Sequence, residues 1–190
     1  MLGSGKSLVY QLPAVTTQGK VTVVVAPIIA LIKDQLDHLS KKGIVGESIN
    51  NKTNKAELMR IFSDLSKKPP KTTLLYVTPE QCATSKFQQL LRMLMNEKKL
   101  AFIVIDEAHC VTMWGGDFRP AYNELGKLRE ITLSVPWVAL TATSSTKVEK
   151  QITSILKFRE QYKRFKLPCF RSNLFYDVVF KDPSNVSIRT

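Results

Sequence analysis

The sequence predicts an α/β domain in which helices cover both faces of a mostly parallel sheet. Apolar runs of the kind that form buried strands alternate with stretches in which apolar residues recur at helical spacing. The clearest run is Leu100–Ile105, which is apolar throughout and leads directly into Asp106 and Glu107. A run without helical or alternating period is typical of a strand that is buried on both faces of a parallel sheet.

The first half of the chain predicts three helices and one strand. A helix begins at Leu8, after a glycine-containing loop, and a β-branched strand follows at Val21–Ala26, which Pro27 ends. The second helix covers Ile29–Lys41, where apolar residues recur every three or four positions up to Gly43. The third helix has the same spacing from Ala56 to Leu65, and Pro69 and Pro70 stop it.

The rest of the chain repeats this alternation. Strands are predicted at Thr73–Val77, at Leu100–Ile105, at Trp137–Leu140 and at Phe175–Phe180. Helices are predicted at Phe87–Met95 and Val148–Leu156. We assign residues 1–181 to one domain and residues 182–190 to a polar tail.

Composition restricts the class of protein. The 190 residues carry 44% hydrophobic residues, and no apolar run reaches the roughly 18 residues that a membrane helix needs. This predicts a soluble, intracellular protein without a membrane partner. Cys82, Cys110 and Cys169 lack the paired spacing of a zinc site or a disulfide framework and are interpreted as thiols. The net charge of +12 suits a polyanion such as nucleic acid, although solubility alone would also explain it.

A candidate phosphate-binding loop lies at the start of the chain, in the order Gly3, Ser4, Gly5, Lys6, Ser7. Glycines let the backbone wrap around phosphate oxygens, and the following helix start adds a favourable dipole. We expect Lys6 to reach the β- and γ-phosphates of ATP, and Ser7 to bind Mg²⁺. A flexible turn is the alternative interpretation of so short a motif.

The second half of this candidate site is Asp106 with Glu107. Ligands of open α/β sheets bind at the carboxyl ends of the strands, which is where both carboxylates are expected. Asp106 is predicted to hold Mg²⁺ through water, and Glu107 to orient or deprotonate an attacking water. Acidic residues also favour helix N-termini, but that alternative leaves the phosphate loop unexplained.

Several motifs together resemble a known family. Asp106–His109 resembles motif II of superfamily 2 helicases, Gly3–Ser7 most of their motif I, and Thr141–Thr143 their motif III. Cys110–Tyr122 is similar to the aromatic-rich loop of the RecQ DNA helicases. Three further stretches resemble RecQ motif Ia, motif Ib and the fifth subgroup of animal RecQ helicases: Ala26–Gln35, Tyr76–Glu80 and Pro168–Asp177.

The resemblance implies a RecA-like first lobe of a nuclear, ATP-driven helicase that moves 3′ to 5′ on single-stranded and forked DNA in repair and recombination. It assigns Mg-ATP binding and hydrolysis to Lys6, Ser7, Asp106 and Glu107. It assigns coupling to DNA to His109, Thr141 and Thr143, and sensing of single-stranded DNA to Trp114, Phe118 and Arg119. Without the family, Trp114 and Phe118 are equally interpretable as half-buried packing residues, and His109 as a capping or core residue.

The sequence also departs from the family pattern. Gly116 stands where the loop usually has a histidine. Since Met1 falls inside the phosphate loop, we expect the preceding strand and the upstream adenine-reading glutamine to be missing, and two unpaired edges in the middle of the sheet. A second RecA-like lobe, which closes the ATP site and is needed for turnover, is also expected to be missing. The isolated chain is therefore predicted to show weak or no ATPase activity and no unwinding.

Two other functions remain open at this point. A truncated paralogue could bind DNA or a partner helicase without turnover. A DEAH-type RNA helicase would share Asp106–His109 but would not explain the loop from Trp114 to Tyr122.

Overall fold

The computed structural model describes residues 5–112, 120–142, 145–166, 175 and 177. Five parallel strands form one sheet in the order β2-β3-β1-β4-β5. The strands are β1 (Val21–Val25), β2 (Gly46–Ile49), β3 (Leu74–Val77), β4 (Leu100–Ile105) and β5 (Trp137–Ala139). The sheet therefore has the parallel arrangement that the sequence predicts.

Helices connect the strands and cover the sheet. They are α1 (Lys6–Thr16), α2 (Ile29–Ser40), α3 (Lys55–Ser66), α4 (Pro79–Cys82), α5 (Ser85–Asn96), α6 (Pro120–Ile131) and α7 (Thr146–Ile155), with a 3₁₀ turn at Ala108–Thr112. In the part of the chain that the structure describes, no helix has both the length and the apolar character to cross a membrane.

Both faces of the sheet are buried, because successive residues of a strand point to opposite faces. In and just after β1, Val23 and Val25 belong to the larger apolar cluster, which also contains residues of α3, α5, α6 and α7. Val24 and Ala26 belong to the smaller cluster, together with residues of α1 and α2. This double burial explains why the strands have continuous apolar sequences, and it confirms the predicted layers.

The sequence prediction missed three elements. Strand β2 is short and half polar, and it is held by pairing with β3 along its whole length. Helix α6 overlaps the end of the stretch that we interpreted as a loop, yet Tyr122, Leu125 and Leu128 have helical spacing and are buried. The short helix α4 was likewise not predicted.

The expectation of a gap in the middle of the sheet is wrong. Strand β1 lies between β3 and β4 and pairs with both, and β4 also pairs with β5, so the sheet is continuous from β2 to β5. The first strand of the described residues occupies the centre itself, which leaves no interior position unpaired. Apart from Phe175 and Asp177, the predicted strand Phe175–Phe180 lies outside the described residues, as does the tail 182–190.

The thiol interpretation is confirmed for two of the three cysteines. Neither Cys82 nor Cys110 forms a disulfide. Burial, with a smaller contribution from the charge of Glu80, raises the pKa of Cys82 far above its usual range, so this thiol is a core group rather than a nucleophile. Cys169 lies outside the described residues.

Helix α3 begins with a capping box, which gives a stability prediction. The Asn54 side chain accepts a hydrogen bond from Glu57 N at 2.9 Å, and the Glu57 carboxylate accepts one from Asn54 N at 3.1 Å. Asn54→Ala removes the acceptor of the Glu57 N–H in the first turn, and we expect it to lower the free energy of unfolding by about 1 kcal/mol. Urea unfolding followed by circular dichroism measures this. Asn51→Ala, in the exposed turn just before, is the control; an equal loss there would contradict a capping role.

Candidate nucleotide-binding site

The candidate site lies where the start of α1 meets the carboxyl end of β4. Strand β4 ends at Ile105, so Asp106 and Glu107 project from the edge of the sheet where parallel strands end. Lys6, at the start of α1, places its Nζ 3.2 Å from Oε1 of Glu107, although the two residues are 101 positions apart. The contact brings the start of α1 and the carboxyl end of β4 together at one point, as the prediction of a single site requires.

The N-terminus of α1 is open to an anion. Gly5 precedes the helix with a φ of 68°, a left-handed conformation that glycine adopts without cost. No side chain caps α1, and its first turn carries no acidic residue. The first N–H groups of a helix have no partner within the helix, and they attract phosphate together with the helix dipole. The arrangement therefore suits the phosphate chain of a nucleotide.

Asp106 is a carboxylate in an environment that favours a cation. Its Oδ1 accepts a hydrogen bond from Glu107 N at 2.9 Å. Burial raises the pKa of Asp106 most strongly; the Glu107 N–H lowers it, the Glu107 charge raises it, and Lys6 and His109 act more weakly to lower it. The net increase means that the neighbouring groups do not fully compensate the buried negative charge. A divalent cation would provide that compensation.

The residues present fit Mg²⁺ that arrives with a nucleotide. Mg²⁺ binds one or two carboxylates and takes its remaining ligands from phosphate oxygens and water. Asp106 supplies one carboxylate, and Ser7, half-buried in the first turn of α1, supplies a hydroxyl. Within the described ranges, no group of three or more His, Cys, Asp or Glu residues could form a metal cage. Affinity for the metal should therefore depend on the phosphates.

Glu107 has an unusual backbone conformation at the centre of the site. Its φ is 47°, which costs a residue with a side chain about 1 to 2 kcal/mol. The carboxylate contacts Lys6 through Oε1, and its Oε2 lies 3.1 Å from Nδ1 of His109. Strain of this kind is found where surrounding contacts enforce it, most often at functional sites.

His109 connects Glu107 to the end of β5. Its Nδ1 lies 3.1 Å from Oγ1 of Thr141 as well as 3.1 Å from Glu107. The contact with Thr141 is a hydrogen bond whose donor depends on the tautomer of the imidazole, and the contact with Glu107 is within ion-pair distance. The imidazole thus holds Glu107 in place and links it to Thr141, two positions beyond β5.

The structure brings together six of the predicted site residues: Gly5, Lys6, Asp106, Glu107, His109 and Thr141, with Ser7 in the adjoining turn of α1. The remaining candidates lie outside the described residues: Gly3, Ser4, Trp114, Phe118, Arg119 and Thr143, as does Gly116. Their roles stay predictions.

Sequence reasoning missed three buried tyrosines, one of which contacts Asp106. Tyr122 of α6 donates a hydrogen bond from its hydroxyl to the backbone oxygen of Asp106 at 3.2 Å. Tyr10 of α1 and Tyr76 of β3 are both 1% exposed, and their hydroxyl oxygens lie 3.4 Å apart. All three occupy apolar positions of their elements. The only sequence signal for a polar role was that these positions, where an aliphatic residue is expected, carry tyrosine.

Comparisons with known proteins agree with this geometry. Residues 2–152 match the family model described as DEAD/DEAH box helicase. The chain is 48% identical over 180 residues to "ATP-dependent DNA helicase Q5" of Rattus norvegicus, covering 95% of this chain and 18% of that protein. It is 43% identical over 187 residues to "RecQ-like DNA helicase BLM" of Xenopus laevis, covering 98% of this chain and 14% of that protein.

A bacterial relative and a solved structure extend the comparison. The chain is 39% identical to "ATP-dependent DNA helicase RecQ" of Haemophilus influenzae, covering 85% of this chain and 25% of that protein. The chain thus spans a quarter or less of the length of these curated relatives. The structure of the helicase MrfA bound to DNA and AMPPNP matches with a TM-score of 0.62 at 21% identity, covering 80% of this chain and 22% of that one. At this identity the match establishes a shared fold.

Proposed function

The chain belongs to the DEAD/DEAH box helicase family and, within it, to the RecQ group, and from this premise we propose that it is the lobe that binds ATP in a DNA helicase. In this proposal ATP hydrolysis is coupled to 3′-to-5′ unwinding of single-stranded and forked DNA, in the nucleus. The contact between Lys6 and Glu107 at 3.2 Å carries the proposal, because it joins the start of α1 to the end of β4 at one point.

The roles of the residues follow from their positions. Lys6 leaves Glu107 for the β- and γ-phosphates when ATP binds, since phosphate oxygens offer its ammonium group more negative charge. Glu107 is then free to orient the attacking water and to accept its proton. Ser7 and Asp106 hold Mg²⁺, which, when bound with ATP, neutralises charge on the phosphoryl group. His109 keeps the Glu107 carboxylate oriented.

We assign coupling to DNA to the part of the site that contains Thr141 and His109. The contacts of Nδ1 of His109 with Glu107 and with Thr141 form a path along which a change near β5 reaches the catalytic carboxylate. Trp114, Phe118, Arg119 and Thr143 are proposed to contact single-stranded DNA or to transmit its presence, as aromatic and guanidinium groups do elsewhere. The net charge of +12 favours a polyanionic partner.

The alternative functions are less well supported. A module without turnover would not need Lys6, Asp106 and Glu107 in a single site. The relatives are named as DNA helicases, which favours DNA over RNA as the partner. Unwinding is proposed for proteins as long as these relatives. This chain spans only 14% to 25% of their length, so nucleotide binding is the property to test in it.

Titration of a fluorescent ATP analogue into the 190-residue chain tests the proposal. We expect saturable binding that ATP displaces and that Mg²⁺ strengthens. Asp106→Asn should weaken binding in Mg²⁺ about tenfold or more, with little change in EDTA, because the amide has lost the charge that holds the ion.

Asp37→Asn, an exposed position of α2, is the matched control and should behave like the unaltered chain. Two results would contradict the proposal. One is the absence of saturable binding by the unaltered chain, and the other is binding that depends on neither Mg²⁺ nor Asp106.

A further inference from the structure

Four polar side chains form a connected group behind the candidate site. The hydroxyls of Tyr10 and Tyr76 lie 3.4 Å apart. Gln11 donates from Nε2 to Oε1 of Gln35 at 2.8 Å, and the same nitrogen lies 3.4 Å from the Tyr76 hydroxyl. The group, which we call the Tyr-Gln network, joins α1, α2 and β3.

One end of the Tyr-Gln network lies on the same helix as Ser7, which is one of the two residues proposed to hold Mg²⁺. Tyr10 follows Ser7 by three positions on α1, so both side chains lie on the same face of the helix. Burial raises the pKa of Tyr10 most strongly, followed by Tyr76 and by the negative charge of Asp106, whereas a hydrogen bond with the Ser7 side chain acts in the opposite direction. Tyr10 therefore connects the turn of α1 that carries Ser7 to Tyr76 of β3.

Packing alone does not explain these hydroxyl groups. Tyr10 and Tyr76 are almost fully buried within an apolar cluster that contains Val24, Ile32 and Val104. Burying a hydroxyl is unfavourable unless it finds a partner, and phenylalanine would fill the same space without that cost. A connected polar group in such a place fixes one arrangement of the elements that share it.

We propose that Tyr10, Tyr76, Gln11 and Gln35 are positioning residues of the nucleotide site. The Tyr-Gln network fixes the position of α1 against β3 and α2, and so fixes the distance between the Ser7 hydroxyl and the Asp106 carboxylate. A constant separation matters for Mg²⁺, which demands near-ideal octahedral geometry. The inference rests on the proposed function and adds a second layer of residues to its metal site.

Tyr10→Phe tests the inference, since it removes the hydroxyl and keeps the ring. We expect half-saturation of nucleotide binding to require about tenfold more Mg²⁺, while affinity for the ATP analogue in EDTA is unchanged. A purely structural defect would weaken binding equally in Mg²⁺ and in EDTA. Tyr162→Phe is the control, because the Tyr162 hydroxyl bonds Glu149 at 3.0 Å near the end of the described chain, away from this group.

Gln35→Met tests whether the four residues act together. It keeps the length of the side chain and removes the bond to Gln11, and we expect a smaller shift in the Mg²⁺ requirement. In the double variant the shifts should not multiply, because both substitutions disrupt the same group. If Tyr10→Phe does not fold, as judged by circular dichroism, Gln35→Met is the test. A raised Mg²⁺ requirement supports the inference, and an unchanged one overturns it.

The outcomes separate the inference from the function on which it rests. If the unaltered chain shows no saturable binding, both are overturned. If the unaltered chain binds in a Mg²⁺-dependent way but Tyr10→Phe has the same Mg²⁺ requirement, or if the two substitutions act independently, only the inference is overturned.

Discussion

Lys6→Ala is expected to weaken binding of the ATP analogue by about fiftyfold, more than any other single change in the site. Lys6 is the cation next to the open N-terminus of α1, and a charge-assisted hydrogen bond to phosphate contributes about 1.5 to 3 kcal/mol. The unliganded chain should lose less than about 1 kcal/mol of stability, because the Lys6 and Glu107 side chains are 26% and 24% exposed and water screens their pairing. Parallel binding and urea-unfolding titrations measure the two effects.

Lys20→Ala is the matched control for charge. Lys20 is exposed in the turn after α1, at the opposite end of the helix from Lys6, and its loss should leave binding unchanged. Equal affinity of Lys6→Ala and the unaltered chain would mean that the analogue binds somewhere other than the start of α1.

Gly126→Ala is expected to produce the largest loss of stability among single-methyl changes. A Cβ atom at Gly126 would clash with the backbone oxygen of Ile155, at the end of α7. Backbone cannot rotate away, so α6 and α7 would have to separate. Overpacking costs about 1 to 3 kcal/mol and sometimes more, whereas the better helix propensity of alanine returns at most about 1 kcal/mol. We expect a net loss of about 2 kcal/mol in urea unfolding.

Lys127→Ala is the control for helix propensity, because Lys127 is the next residue of α6 and is exposed. It should change the free energy of unfolding by less than about 0.5 kcal/mol. A Gly126→Ala variant that unfolds at higher urea than the unaltered chain would show that α6 and α7 lie farther apart than the structure has them.

The predicted strands were accessible from sequence because each depends on local pattern, and the pairing of the two motifs was accessible because both serve one chemistry. Leu100–Ile105 had to be buried on both faces, and its end then placed Asp106 and Glu107 at the ligand edge of the sheet. The direct contact of Lys6 with Glu107 was not predicted, because neither residue has a local signal for it.

The missed features depend on tertiary contacts. Strand β2 carries little apolar signal and exists because β3 offers it hydrogen bonds. The order of the strands, and so the continuous centre of the sheet, depends on which strands pair and cannot be read from their sequences. The contact between Tyr10 and Tyr76 joins residues 66 positions apart, in two elements that each look simply apolar.

The left-handed backbone of Glu107 has a consequence for anyone who would engineer this domain. Glycine or asparagine would suit a φ of 47° better, so selection for thermal tolerance alone should drift toward those residues at this position. Selection for phosphate chemistry would keep the carboxylate. The two selections favour different residues at position 107. Stability and activity therefore conflict at this position.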